Sequence, residues 1–165
     1  MATGRTVSRF TRFALDDSGG TPREIEVDSI SGVGFTFAPV DLTAYQDAVK
    51  GYLTAHPESN IQITGPFSNL AAASLAASGA TPVLSGSHTI LKDITTPTFV
   101  TPLGLAILYG IRAVWATGDP AFGIVSPSAT AGYLCYEYTV SGEKYSATFQ
   151  PIPGCTPAWG TAILS

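Results

Sequence analysis

Glu24, Glu26 and Asp28 alternate along a β-rich stretch, a spacing that sends three carboxylates to one face of a strand. Ile25 and Val27 then point to the opposite face, toward a core. Acids spaced about 7 Å apart repel one another. They suit either a solvated strand face or a wall that must not adhere to a polyanion. Metal or acid–base chemistry is a weaker reading, because no histidine stands nearby in the sequence. The two histidines, His56 and His88, sit after and before candidate helical segments and read as structural. Cys135 and Cys155 are too few for a disulfide framework and lack metal-ligand spacing. No Gly-x-Ser-x-Gly elbow, phosphate loop or dinucleotide fingerprint is present, so the reading is of a non-enzyme without a cofactor.

Composition points to assembly. Charged residues make up 12% of the 165 residues and hydrophobic residues 45%, where a typical soluble chain carries about 25% charge. Asp, Glu, Lys and Arg are all absent from position 59 to position 91. A freely diffusing monomer keeps apart from its neighbours with mixed surface charge; this chain is expected to cover surface with other copies or partners. Net charge is −4, and the eight Lys and Arg are scattered, with Arg5, Arg9, Arg12 and Arg23 the only loose grouping. That excludes a basic nucleic-acid footprint. The N-terminus has no apolar signal core, and the apolar stretch 102–116 is broken by Gly104, Gly110 and Arg112. The expectation is a protein made in the cytoplasm, with no membrane partner.

Seventeen glycines and twelve prolines spread along the chain fit short strands joined by many turns. Strands are expected over 6–15 and 23–37, joined at Asp17-Ser18-Gly19-Gly20 as a first hairpin. Leu42, Tyr45, Val49 and Leu53 recur at helical steps and predict a helix over 42–53 that packs this face on a sheet. Residues 60–64 alternate as a strand. The Ala/Ser/Gly-rich stretch 68–86 reads as a loop that gains order between assembled units, with Asn69, Leu70, Leu75 and Gly79 as contact candidates. A short helical turn is expected over 87–94, a long strand over 103–115, a turn at Gly118-Asp119-Pro120, a second hairpin from 134–140 and 145–150, and a last strand over 158–164. Tyr133, Tyr136, Tyr138, Tyr145, Phe149 and Trp159 cluster late in the chain. Cross-strand packing explains them more simply than a stacking platform. The whole reads as one domain, 1–165: all-β, a β-sandwich or incomplete barrel, with one flanking helix and a second, shorter one.

The order of elements, together with Gly65-Pro66-Phe67, Ser87-His88-Thr89-Ile90-Leu91, Tyr109-Gly110-Ile111-Arg112, Tyr145-Ser146-Ala147-Thr148-Phe149 and Pro157-Ala158-Trp159-Gly160-Thr161, resembles the major tail tube protein of long-tailed bacteriophages. The resemblance runs from about Phe10 to Thr161. It implies a virion structural protein of the phage tail that closes into hexameric rings stacked as a tube. The implied partners are copies of itself, a tape measure, a terminator and DNA in transit without specific binding. It also implies an acidic lumen, for which Glu24, Glu26 and Asp28 are the candidates. A head-decoration or tail-completion protein would share the composition and the β fold, and a carbohydrate-binding β-sandwich would use the aromatic cluster.

Overall fold

The computed structural model describes residues 11–54, 56–110 and 114–164. Positions 6–10 of the first expected strand, and 111–113 of the long one, lie outside the described residues.

Two sheets share one core. The first has the order β11-β8-β7-β1-β2 and contains β1 (Thr11–Asp16), β2 (Pro22–Ile25), β7 (Leu105–Tyr109), β8 (Ala121–Ile124) and β11 (Ala158–Gly160). The second has the order β3-β6-β10-β9 and contains β3 (Ser29–Ser31), β6 (Ile61–Pro66), β9 (Tyr133–Ser141) and β10 (Lys144–Pro151). A separate hairpin joins β4 (Pro39–Asp41) to β5 (Tyr52–Thr54). Neither main sheet closes into a barrel. Between the sheets lie Phe13, Leu15, Ile25, Ile61, Ile63, Ile107, Phe122, Tyr145 and Phe149, all essentially inaccessible. The Phe13 and Phe149 rings meet across that interface at 5.6 Å.

The first sheet is buried on its other face as well. Ala14, Ala106, Leu108 and Ala121 form a second cluster there with Trp115 and Leu164, covered by Leu75, Val125 and Ile163. This explains the unbroken apolar run of β7. A strand with no solvent face has no polar alternation. At Gly123, φ is 149°, and a Cβ would drive into the Leu105 carbonyl oxygen; only glycine lets β7 and β8 approach so closely.

The single described helix is α1 (Ser87–Ile94), the shorter of the two expected. Ser87, Ile90, Leu91 and Ile94 are buried, a stripe at i, i+3, i+4 and i+7. The Ser87 hydroxyl does not cap the helix. It donates to the Pro66 carbonyl at 2.9 Å and accepts the Ser68 N–H at 3.0 Å, fastening α1 to the end of β6. The helix expected over 42–53 does not form; that stretch is the loop and the start of the second strand of the β4–β5 hairpin. Asp41 accepts the Thr43 N–H at 2.9 Å, and Asp47 accepts the Ala44 N–H at 2.8 Å. Such side-chain bonds compete with helix formation. Both faces of the first sheet are also already covered, so no layer remains on which an apolar helix could dock.

Burial on both faces traps charge. Arg12 and Glu24 lie on the outer face of the first sheet, with side chains 3% exposed and 2.7 Å apart. Arg12 Nε also donates to Glu24 at 3.0 Å. Asp16 is buried too; its carboxylate accepts the Gly104 N–H at 2.8 Å, and burial raises its pKa.

Glu24→Ala leaves a buried guanidinium without its carboxylate and is expected to cost about 3–5 kcal/mol in a denaturant titration. Asp16 gives a pH signature. Because its folded pKa is raised, its stabilising contribution is full in acid and lost as pH rises through that value. Asp16→Asn keeps an acceptor for Gly104 without the charge. Its melting temperature, compared with that of the parent, is expected to improve from about pH 3 to about pH 7.

Candidate assembly interface

The second sheet alternates strictly over most of its width. One cross-strand row, Ile30–Ile63–Ala147–Tyr138, points into the core. The rows on either side point outward: Ser29–Thr64–Ser146–Thr139 and Ser31–Gln62–Thr148–Glu137. Their only ionisable side chain is Glu137. Ser29 and Thr64 share a hydroxyl–hydroxyl hydrogen bond of 2.7 Å. Beyond them, Lys144 stands opposite Pro66 and Ser141 and donates from Nζ to Asp28 Oδ2 at 2.7 Å, which raises the Lys144 pKa. The outward face is therefore broad, hydroxyl-rich and close to neutral.

The expected carboxylate stripe does not exist as a unit. Strand β2 ends at Ile25, so the alternation stops after Glu24. Glu24 is buried against Arg12, Glu26 is exposed, and Asp28 is paired with Lys144. Ile25 does reach the core, and Val27 packs against it. Sequence alternation assigned three acids to one strand, whereas the chain leaves the first sheet after Ile25 and enters the second only at Ser29.

One irregularity marks the edge strand β9. Register passes from Thr148↔Glu137 to Phe149↔Cys135, leaving Tyr136 without a partner. This is a β-bulge, which re-aims a side chain. Cys135 and Tyr138 both pack toward the core, while Tyr136 is 58% exposed. Tyr136 and Tyr138 are therefore on opposite faces. Burial pushes the Cys135 thiol up to about 12, so it stays protonated and unreactive near neutral pH. Tyr133, Tyr145 and Phe149 are core residues, and the Trp159 ring meets Phe122 at 5.0 Å in a tilted contact.

The β4–β5 hairpin projects as a second surface. Leu42, Tyr45, Val49 and Leu53, the expected packing face, are all exposed, Tyr45 and Val49 at 104% and 81%. Val40 and Tyr52 are exposed as well, on opposite faces of the ribbon. A two-stranded ribbon in water is marginal by itself.

The stretch 68–86 is irregular but tied down. Ser85 Oγ accepts the Ala73 N–H at 2.9 Å, Thr89 donates to the Leu70 carbonyl at 2.7 Å, and the Gly79 N–H donates to Trp115 at 2.8 Å. Leu75 packs on the second apolar cluster. Leu75 and Gly79 thus make contacts within their own chain. Asn69 and Leu70 remain exposed.

His88 is held by structure: Nδ1 and the Tyr138 hydroxyl are 2.8 Å apart, and Phe67 stacks on its ring at 4.8 Å. His56 is exposed. Among the described residues no three His, Cys, Asp or Glu side chains gather as a metal site, and no helix is long and apolar enough to cross a membrane.

No family model and no curated protein matches the chain. Solved structures do. A chain of the anti-feeding prophage baseplate, determined by cryo-EM with 6-fold symmetrisation, is similar at a TM-score of 0.60 and 9% identity, covering 96% of this chain and 97% of that one. A chain of the anti-feeding prophage tube-terminating cap gives 0.56 and 13%, with coverages of 96% and 92%. A chain of the PVC extracellular contractile injection system, from its sheath–tube complex in the extended state, gives 0.53 and 11%, with coverages of 96% and 93%. The fold is shared with injection-system tail components. At these identities the likeness is one of architecture, and it runs to contractile injection systems rather than to long-tailed phages in particular.

Because the hairpin tip touches no core, Val49→Asp is expected to leave stability within about 0.5 kcal/mol of the parent. Thermal melting of the two proteins checks this.

Proposed function

We propose that this chain is a structural, non-enzymatic subunit of a phage-tail-like tube that builds rings from copies of itself, stacked into a conduit. The observation that carries the reading is the second sheet. It is four-stranded, apolar inward and hydroxyl-lined outward, and it has a short edge strand, β3, on one side and a long one, β9, on the other. Open edges are templates for strand pairing, and soluble monomers guard them with Lys, Pro or short length. Nine-residue β9 contains neither Lys nor Pro. Pairing β9 of one copy with β3 of the next is heterologous and closes into a ring if the rotation allows. The 6-fold symmetry of the baseplate with the same fold supports a sixfold ring.

In such a ring the rows of Ser, Thr and Gln line the bore. Phosphates would meet hydroxyls and one Glu137 per copy, with Lys144 already neutralised by Asp28. That wall neither grips nor strongly repels a polyanion, in place of the acidic lumen expected from the stripe. The exposed hairpin then supplies contacts between stacked rings, and a terminator and a tape measure complete the set of tail partners. The assembled tail is the place of action, and DNA is the proposed traveller.

Negative-stain microscopy of the purified chain tests the reading, with annular or tubular particles as the expected result. Thr139→Lys/Val140→Lys places two cations on the open edge. It is expected to give folded monomers with a parent-like melting temperature and no rings; unimpaired rings would reject β9 as the joining edge.

A further inference from the structure

We propose that the cavity at Asp16 is a receptor for a lysine, and that the ammonium it takes is Lys50 from the β4–β5 hairpin of a second copy. This rests on the assembly reading above and adds to it the site in which the hairpin docks. Asp16 is 3% exposed, and its Oδ2 accepts the Gly104 N–H at 2.8 Å. No hydrogen bond from a described residue reaches Oδ1, and no described cation pairs with the carboxylate. The neighbouring Asp17 is already held by Arg23 at 2.8 Å. Asp16 lines a cavity of about 570 Å3 together with Val100, Thr101, Pro102, Pro127 and Ser128, none of them ionisable. A Cβ at Gly104 would come within 2.7 Å of Oδ2, so glycine there keeps the acid clear of a covering side chain.

Charge decides what fits. Folding has already stripped water from the Asp16 carboxylate, so an entering cation adds attraction and only its own desolvation opposes it. Val100, Pro102 and Pro127 offer an apolar wall to the four-carbon stem of a lysine. Among the described residues, Arg12, Arg23, Lys92 and Lys144 are in ion pairs with Glu24, Asp17, Asp93 and Asp28, whereas Lys50 is exposed and in none. The described residues thus hold one buried acid without a cation and one exposed cation without an acid. Lys50 is also presented from a braced loop. The next residue, Gly51, donates its N–H to Thr43 Oγ1 at 3.0 Å, and its carbonyl accepts the Leu42 N–H at 2.9 Å, so less freedom is lost on docking. Lys50 does not line the cavity of its own copy. The contact therefore joins two different surfaces of two copies, a heterologous arrangement that propagates from one ring to the next.

The test replaces Thr101 with the photo-cross-linker p-benzoylphenylalanine in the full chain, mixes isotopically labelled and unlabelled copies, irradiates and maps the products by mass spectrometry. Cross-links between copies to residues 47–52 are expected. Cross-links between copies to any other segment, or links only within one chain, overturn the contact. Separately, sedimentation and negative-stain microscopy follow the stacking of rings. Lys50→Gln, and Asp16→Asn, which turns an amide NH2 toward the ammonium, are each expected to weaken stacking by roughly tenfold or more. The double variant is expected to be no weaker than either single one, and Lys50→Arg to retain most of the stacking. The melting temperature of Asp16→Asn gains on that of the parent as pH rises to about 7, so stability and stacking move in opposite directions. A merely structural role for Asp16 does not produce that split. Rings that stack normally from Lys50→Gln overturn the site while leaving ring formation standing. A parent chain that forms no rings at high concentration overturns both.

Discussion

The sheet that runs from β11 to β2 is covered on both faces, and most of the remaining architecture follows from that constraint. One face is filled by the second sheet through contacts such as Phe13 on Phe149; the other is roofed by Trp115, Leu75, Ile163 and Leu164. A sheet enclosed in this way dehydrates whatever polar groups its strands carry. Arg12 therefore has to find Glu24, and Asp16 has to find the Gly104 amide. It also needs a roof, and the Ala/Ser/Gly-rich stretch supplies one. Small residues can lie close to a sheet without displacing it, and hydroxyls of Ser78, Ser85 and Ser87 satisfy the irregular backbone without bringing in charge. The charge-free interval from position 59 to 91 thus belongs largely to covering the fold, not only to contact with partners.

The second sheet is the complement. Enclosed on one side only, it alternates apolar and polar residues, and its free side is uniform in chemistry across all four strands. Its charges are cancelled locally by the Asp28–Lys144 pair rather than removed. The same sheet carries the long edge strand β9 and its bulge. Both features thus sit on the sheet that the rest of the fold leaves half open. The β4–β5 hairpin extends this logic, since its apolar side chains have no place in a core with no unfilled layer.

Local rules made much of the fold legible in the sequence. Period-two alternation over 60–64 gave β6, the runs 134–140 and 145–150 read as the β9–β10 hairpin, the Asp17-Ser18-Gly19-Gly20 turn gave the β1–β2 hairpin, and the helical turn expected over 87–94 is α1. The outward rows were also readable in principle: Lys144, Ser146 and Thr148 alternate with Tyr145, Ala147 and Phe149. Tertiary structure decided the rest because it depends on what is already occupied. The helical spacing of Leu42, Tyr45, Val49 and Leu53 is real, but a helix needs a vacant apolar surface, and the enclosed sheet offers none. The spacing of Glu24, Glu26 and Asp28 is equally real, yet facing is inherited only while a strand continues. This chain leaves one sheet after Ile25 and enters the other at Ser29, so burial claims the first acid and Lys144 the last. The bulge at Tyr136 depends on the register with β10, a long-range property that no local pattern encodes. Sequence determined which segments could be strands and which side chains were polar; packing determined which of those side chains were left for a partner to meet.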